Sequence, residues 1–421
     1  MKRFILMLCV VGWINCPAIL QPHASAADWP QFRGPGGQGH SDAKNLPLTW
    51  SETENITWKV PIAGLGWSSP SIQGNQIWLT TALDGGKSLR AIALDRKTGE
   101  TLHDVEIFTL ENPGDVHSKN SHASPTPLIE GDRVYVHFGA HGTACLTTDG
   151  KIVWSTQELK HDHRHGPGGS PVIFEDLLIL NCDGSDIQFV VALDKNTGKI
   201  RWQKKREHIG ADRLEGKSNV PMAYTTPLLI DNNGTVQLLS CGADSIVAYN
   251  PRNGDEYWWF MYDGYSNVPR PVVGKGLVFI SSGYDRPEFF AVRIDGSGDV
   301  TESHLAWNMK KAAPLNPSPL LIGDELYLVN DGGIATCLDA VSGEQHWQER
   351  LGGNFSASPT FADGRIYLLD EEGTTTVIAP GREFKVLATN KLDGRTLATP
   401  AFVDSTIFLR TDRHLYRIEK Q

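Results

Sequence analysis

Across most of the chain, apolar and polar residues alternate in short runs, punctuated by Gly, Asp and Asn. QIWLTT (76–81), RVYVHF (133–138), ELYLV (325–329), RIYLL (365–369) and TIFLRT (406–411) are such runs. Alternation with a period of two, bounded by turn formers, predicts half-buried strands rather than helices. A second phrase recurs after them: ALDRKTGETLH (93–103), ALDKNTGKIRW (192–202), AYNPRNGDEYW (248–258) and CLDAVSGEQHW (337–347). Ahead of each unit stands a residue followed by proline, usually a small one, at Pro70, Pro127, Pro171, Pro227, Pro271, Pro319, Pro359 and Pro400, about 47 residues apart on average. Each unit thus predicts four strands. One blade cannot bury both faces without neighbours, so four strands per 40–50 residues is the mark of a propeller.

The eighth unit is short by one strand. After Pro400 come AFV, TIFLRT and HLYRIE, while NITWKVP (55–61) carries a strand with Trp58 and no blade of its own. Pairing the two closes the ring and hides both exposed sheet edges. The expectation is an all-β, eight-bladed propeller of four-stranded antiparallel blades, closed by an N-terminal strand. It forms a single domain over 48–421. Residues 27–47 form an extended lead-in whose Gly and Pro content forbids regular structure, packed along the outside of the ring by Trp29 and Phe32.

Residues 1–26 carry Lys2 and Arg3, the apolar run FILMLCVVGWI and then HASA, the pattern of a cleaved signal peptide. Export to the periplasm or beyond follows, with no transmembrane segment. Loss of Lys2 and Arg3 takes the formal charge from −10 to −12. An acidic exported chain is ill suited to nucleic acid, whose affinity comes from neutralised phosphates. Cys145, Cys182, Cys241 and Cys337 lie within apolar strand patterns and are expected as buried free thiols, in a monomer.

The A-x-D-x-x-T-G-x-x-x-W phrase, most intact at 192–202 and 337–347, resembles the PQQ-type repeat of quinoprotein dehydrogenases and of the outer-membrane assembly factor BamB. In that family the tryptophan docks between adjacent blades, which implies this role for Trp58, Trp154, Trp202, Trp258, Trp307 and Trp347. Blade one has His103 at the equivalent place. The aspartates Asp95, Asp194 and Asp339 read as turn-builders.

Chemistry is expected on one face. Short Gly, Asn and Asp turns occupy the other, whereas 111–124, 155–169 and 204–224 are long connections rich in His and Arg, and function collects on such loops. Trp67, Asn120, His122, His165, Arg270, Asn316 and Phe355 are the expected lining of the channel mouth. Asp183, Asp186, Asp244, Glu371 and Glu372, alternating with Arg164, Arg206, Arg213, Lys217, Arg270 and Arg286, suggest a mixed-charge surface there. The stretch HDHRH could present His161, His163 and His165 to a metal, although no metal-ligand spacing is present. Two functions compete. One is a BamB-like binding propeller without cofactor, holding a protein, peptide or small polar ligand. The other, implied by the resemblance, is a quinoprotein alcohol or sugar dehydrogenase with PQQ, calcium and an aspartate base, for which Asp285 and Asp331 are candidates. Against it stand the missing Cys-Cys pair and the missing C-x-x-C-H haem site.

Overall fold

A computed structural model describes residues 28–216 and 219–421; the expected leader, 1–26, lies outside the described residues. Eight sheets follow one another around an axis. Blade 1 holds Ser71–Gln73, Gln76–Leu83, Ser88–Asp95 and Thr101–Thr109, and the later blades repeat this meander. In blade 8, Ala401–Val403, Thr406–Arg410 and His414–Glu419 are joined by Ile56–Pro61, which pairs antiparallel with His414–Glu419. Blade 4 departs from four strands: Gly298–Asp299 adds a fifth, parallel to Trp258–Trp259.

Burial differs by strand. Leu177–Asp183, second in blade 3, is buried at every residue, because both of its faces meet neighbouring blades. The outermost strand Ile200–Lys205 buries Trp202 and exposes most of the rest. The alternation read as half-buried strands therefore belongs to the rim, and the middle strands are core.

The repeated phrase is explained by the joint between blades. A bulge between Ala192 and Leu193 skips one residue of the outer strand and sets Trp202 opposite Ala192. Trp202 Nε1 donates to the Pro251 carbonyl of blade 4 at 3.0 Å. Trp154, Trp307 and Trp347 donate likewise to Lys195, Ala340 and Gly381 of the next blade, at 2.9, 3.1 and 3.0 Å. The ring lies on the glycine of the next phrase. A Cβ on Gly198 would sit 2.5 Å from Trp154, and one on Gly254 2.8 Å from Trp202. Trp58 of blade 8 meets Gly99 of blade 1 in this way, and His103 meets Gly150. Trp258 is fully buried but donates within its own blade, to Gln237. Each phrase aspartate caps its turn: Asp194 accepts from Asn196 N and Thr197 N, both at 3.0 Å. The four cysteines are buried and unpaired.

The lead-in overturns the expectation of an outside path. Residues 29–41 thread into the channel. Trp29 pairs with Ile72 of blade 1, the Pro30 carbonyl accepts from Ile129 of blade 2, and Arg33 donates to the Pro319 carbonyl beside blade 6. Gly39 then accepts from Phe361 of blade 7, and Ser41 Oγ donates to Phe402 of blade 8. The cause is the innermost strands, which turn unpaired backbone groups toward the axis, and buried backbone groups need partners. Since Ile72, Ile129 and Phe361 each stand close to a tight turn, the plug closes the tight-turn end.

Candidate functional site

At the opposite, loop-rich end the channel opens into a cavity of about 820 Å³, with Phe32 of the plug at its base. The residue before each blade's proline builds its wall. Ser69 N donates to Thr126 Oγ1 at 3.0 Å, Thr126 N to Ser170 Oγ at 3.0 Å, and Ser170 N to Thr226 Oγ1 at 2.9 Å. A second run takes Arg270 N to Ser318 Oγ at 2.9 Å, Ser318 N to Ser358 Oγ at 3.0 Å, and Ser358 N to Thr399 Oγ1 at 3.0 Å. Blades 1 to 4 and blades 5 to 8 are thereby laced in two runs around the axis. All six hydroxyls line the cavity, and among the described residues none donates its own O–H. Buried hydroxyls need a partner, so these donors are left for what enters. Blade 5 alone has no hydroxyl there, because Arg270 occupies the position.

Above this crown the wall is aromatic. Trp67, Tyr224, Tyr265 and Tyr284 face the cup. The Arg395 guanidinium lies 5.9 Å from the Trp67 ring centre, and the Trp67 indole N–H has no partner among the described residues. Lys119 and Arg164 bring positive charge, although Lys119 is paired with Glu371 at 2.8 Å. His165 packs edge-on against His117, with ring centres 5.6 Å apart. Burial, then His117 and Arg164, hold its pKa below the usual value. Asp331 is the one carboxylate in the lining. It accepts from Leu315 N at 2.7 Å, Asn316 N at 3.1 Å and the Asn316 amide, while burial raises its pKa.

Of the seven expected mouth residues, Trp67, Asn120, His165 and Asn316 line the cup. Two of these amides are already committed. Asn316 holds Asp331, and Asn120 ties blade 2 to the next connection by donating to the carbonyls of His165 and Pro167. Three expectations fail. His122 turns away, its Nε2 bonded to the Gly114 carbonyl at 3.0 Å and its ring against Gly86. Phe355 packs into the core between blades 6 and 7. Arg270 is 2% exposed and points down the channel, donating to the Phe32 carbonyl at 2.9 Å.

The histidines of HDHRH do not converge. His161 bonds the Leu159 carbonyl, His163 Nδ1 accepts from Ala140 N, and His165 faces the cup. Among the described residues no three His, Cys, Asp or Glu side chains are placed to hold a metal ion. Instead His163 meets His141 at 4.7 Å between ring centres, with His161 and His122 each 6.0 Å further along a half-buried file. The mixed-charge surface keeps Arg164, Asp186, Arg286 and Glu372, which are exposed, but loses its buried members; Lys217 lies outside the described residues. Arg206 and Asp183 form a bidentate pair at 2.6 and 2.8 Å, buried within the ring. Arg213 is likewise turned in on Asp244 at 2.7 Å. Asp285 stands exposed outside the lining. The crown hydroxyls went unnamed because they look like mere punctuation before proline; a Ser or Thr there in seven of the eight blades was the available signal.

Comparisons with known proteins agree with the propeller fold. A stretch of 202 residues, 44% of the chain, is 23% identical to "1-butanol dehydrogenase (quinone)" of Thauera butanivorans and spans 32% of that enzyme's length. BamB from Moraxella catarrhalis superposes with a TM-score of 0.60 at 12% identity, covering 86% of this chain and 96% of that one. A europium-containing methanol dehydrogenase superposes at 0.67 with 11% identity, covering 91% and 89%. At such identity the structural likeness establishes the fold alone. Matches to one family model, over residues 42–164, 118–335 and 299–397, take in most of the chain, which belongs to the family described as outer membrane protein assembly factor BamB.

Proposed function

We propose that this is an exported, non-catalytic propeller that holds a small polar ligand, or the end of a peptide or protein partner, in the cup on its loop-rich face. The carrying observation is the crown: six buried hydroxyls with uncommitted O–H donors, ringed by aromatic side chains over a blind floor. Concave, mainly apolar walls with a few convergent polar groups are the general form of a ligand site.

The relationship to quinone-dependent alcohol dehydrogenases supports a second reading. It fits the residues poorly. A calcium-bound quinone calls for several oxygen ligands and a free carboxylate base, whereas the cup has one carboxylate, Asp331, whose oxygens already accept three N–H bonds. The experiment that tests the proposal is a thermal-shift and tryptophan-fluorescence titration with monosaccharides, free amino acids and tri-alanine, repeated on Trp67→Ala. Saturable binding that Trp67→Ala weakens is expected. Turnover of 1-butanol on addition of PQQ and calcium would overturn the non-catalytic reading.

A further inference from the structure

Beneath the floor of the cup, two guanidiniums are buried together without a carboxylate. Arg33 of the plug is 1% exposed and Arg270 of blade 5 is 2% exposed. Arg270 Nη1 donates to the Phe32 carbonyl at 2.9 Å, which belongs to the peptide joining Phe32 to Arg33. Both side chains therefore occupy one stretch of the channel. Arg33 Nη2 donates to the carbonyls of Gln38 at 3.0 Å and Pro319 at 2.7 Å. Arg33 Nε and Nη1 and Arg270 Nε have no partner among the described residues, and neither residue makes an ion pair there. Burial lowers both pKa values to about 9, and Arg270 contributes to the lowering of Arg33. Both remain cationic at neutral pH.

Elsewhere this chain treats a buried arginine differently. Arg206 is given Asp183 in a bidentate pair. Arg410, also without a carboxylate, gives Nη1 to three oxygens of Ser68 and Thr80 and leaves only its Nε without a partner among the buried atoms of the described residues. A buried charge without a counter-charge is costly, and two of like sign repel more strongly away from water. Yet the sequence makes room for this pair. A Cβ on Gly37 would lie 1.9 Å from Arg270 Nη1, and one on Gly39 2.5 Å from Arg33 Nη2. Blade 5 also forgoes the crown hydroxyl to supply Arg270.

We infer that the channel binds a small monovalent inorganic anion, of halide size, between Arg33 and Arg270 beneath Phe32. The unspent N–H donors of the two guanidiniums are its ligands. Their close packing against glycine backbone favours a halide over a polyatomic oxyanion. By bridging a plug residue to a blade residue, the anion fastens the lead-in to the ring. This site is independent of whatever occupies the cup.

Crystals of the protein soaked in sodium bromide and measured at the bromine absorption edge test the site directly. An anomalous peak between Arg33 and Arg270 is expected. In solution, Tm should rise with chloride concentration relative to sodium gluconate at equal ionic strength, as mass action requires for a ligand of the folded state. Arg270→Met should lose that chloride dependence. Should this variant not fold, the bromide measurement on the parent protein still decides. No bromide between the two guanidiniums, with equal Tm in chloride and gluconate, would overturn the inference.

Discussion

The two ends of the channel start from the same innermost strands and finish differently. At the tight-turn end the strands are closed by residues 29–41, which give backbone partners to the ring and bury Trp29. At the loop-rich end six of the eight strands begin with a hydroxyl that laces its blade to the previous one and keeps an O–H in reserve. The lesson is that the same repeat can build and bind. Positions that recur in every blade carry the architecture. The departures from recurrence, such as Arg270 in place of a hydroxyl or the long connections bearing Trp67 and His165, carry what is particular to this protein.

The largest effect should come from the blade joints, far from either end. Trp202→Ala or Trp347→Ala removes a buried ring from the core and should cost roughly 3–5 kcal/mol in denaturant unfolding. Those variants should still bind in the cup if they fold. Next come the glycines beneath the rings. Gly198 has φ +72° and Trp154 at 2.5 Å from its missing Cβ, whereas Gly74 has φ +57° and open space around it. Gly198→Ala should therefore cost clearly more than Gly74→Ala, whose penalty is limited to the backbone, about 1–2 kcal/mol. Equal losses would refute the docking of ring on glycine.

Acid should separate the ends. Burial pulls the pKa values of His137 and His163 to about 3 and that of His141 to about 4, each helped down by neighbouring histidines. Unfolded, these residues take up protons near the ordinary value of 6.5. Their contribution is thus whole above about 6.5 and is lost as pH falls toward 3–4. The turn aspartates Asp95, Asp194 and Asp339 have lowered pKa values: burial opposes this at all three, most strongly at Asp194, and hydrogen bonds from the turn outweigh it. Their contribution is lost only below about 4. At pH 5, hydrogen exchange should rise first around 137–165. Simultaneous loosening of the tight turns would contradict this. The smallest stability effect should come from the mouth. Tyr284 is 58% exposed, so Tyr284→Ala should change stability by within about 0.5 kcal/mol while weakening ligand capture.

Much of the ring was legible because a blade is written in local terms. Alternation, turn residues and the spacing of Pro70 to Pro400 identify the strands without tertiary information. The site was less so. Trp67 and His165 were found because loop position alone points them at the mouth. Arg270 and His122 were misplaced because their direction depends on long-range partners, the Phe32 and Gly114 carbonyls, that no periodicity reveals. The path of the lead-in was hidden for the same reason. Its Gly and Pro content reads as an irregular segment packed outside the ring, yet those glycines make room for Arg270 and Arg33 inside the channel.

The central claim is that the lead-in belongs to the core and turns an open channel into a blind cup. Native-state hydrogen exchange of residues 29–41, followed by mass spectrometry at neutral pH, tests it most directly. The account predicts that the amides of Trp29, Gly39 and Ser41 exchange as slowly as those of the innermost strands, opening only with the ring. Exchange within seconds, at the rate of a free peptide, would contradict it.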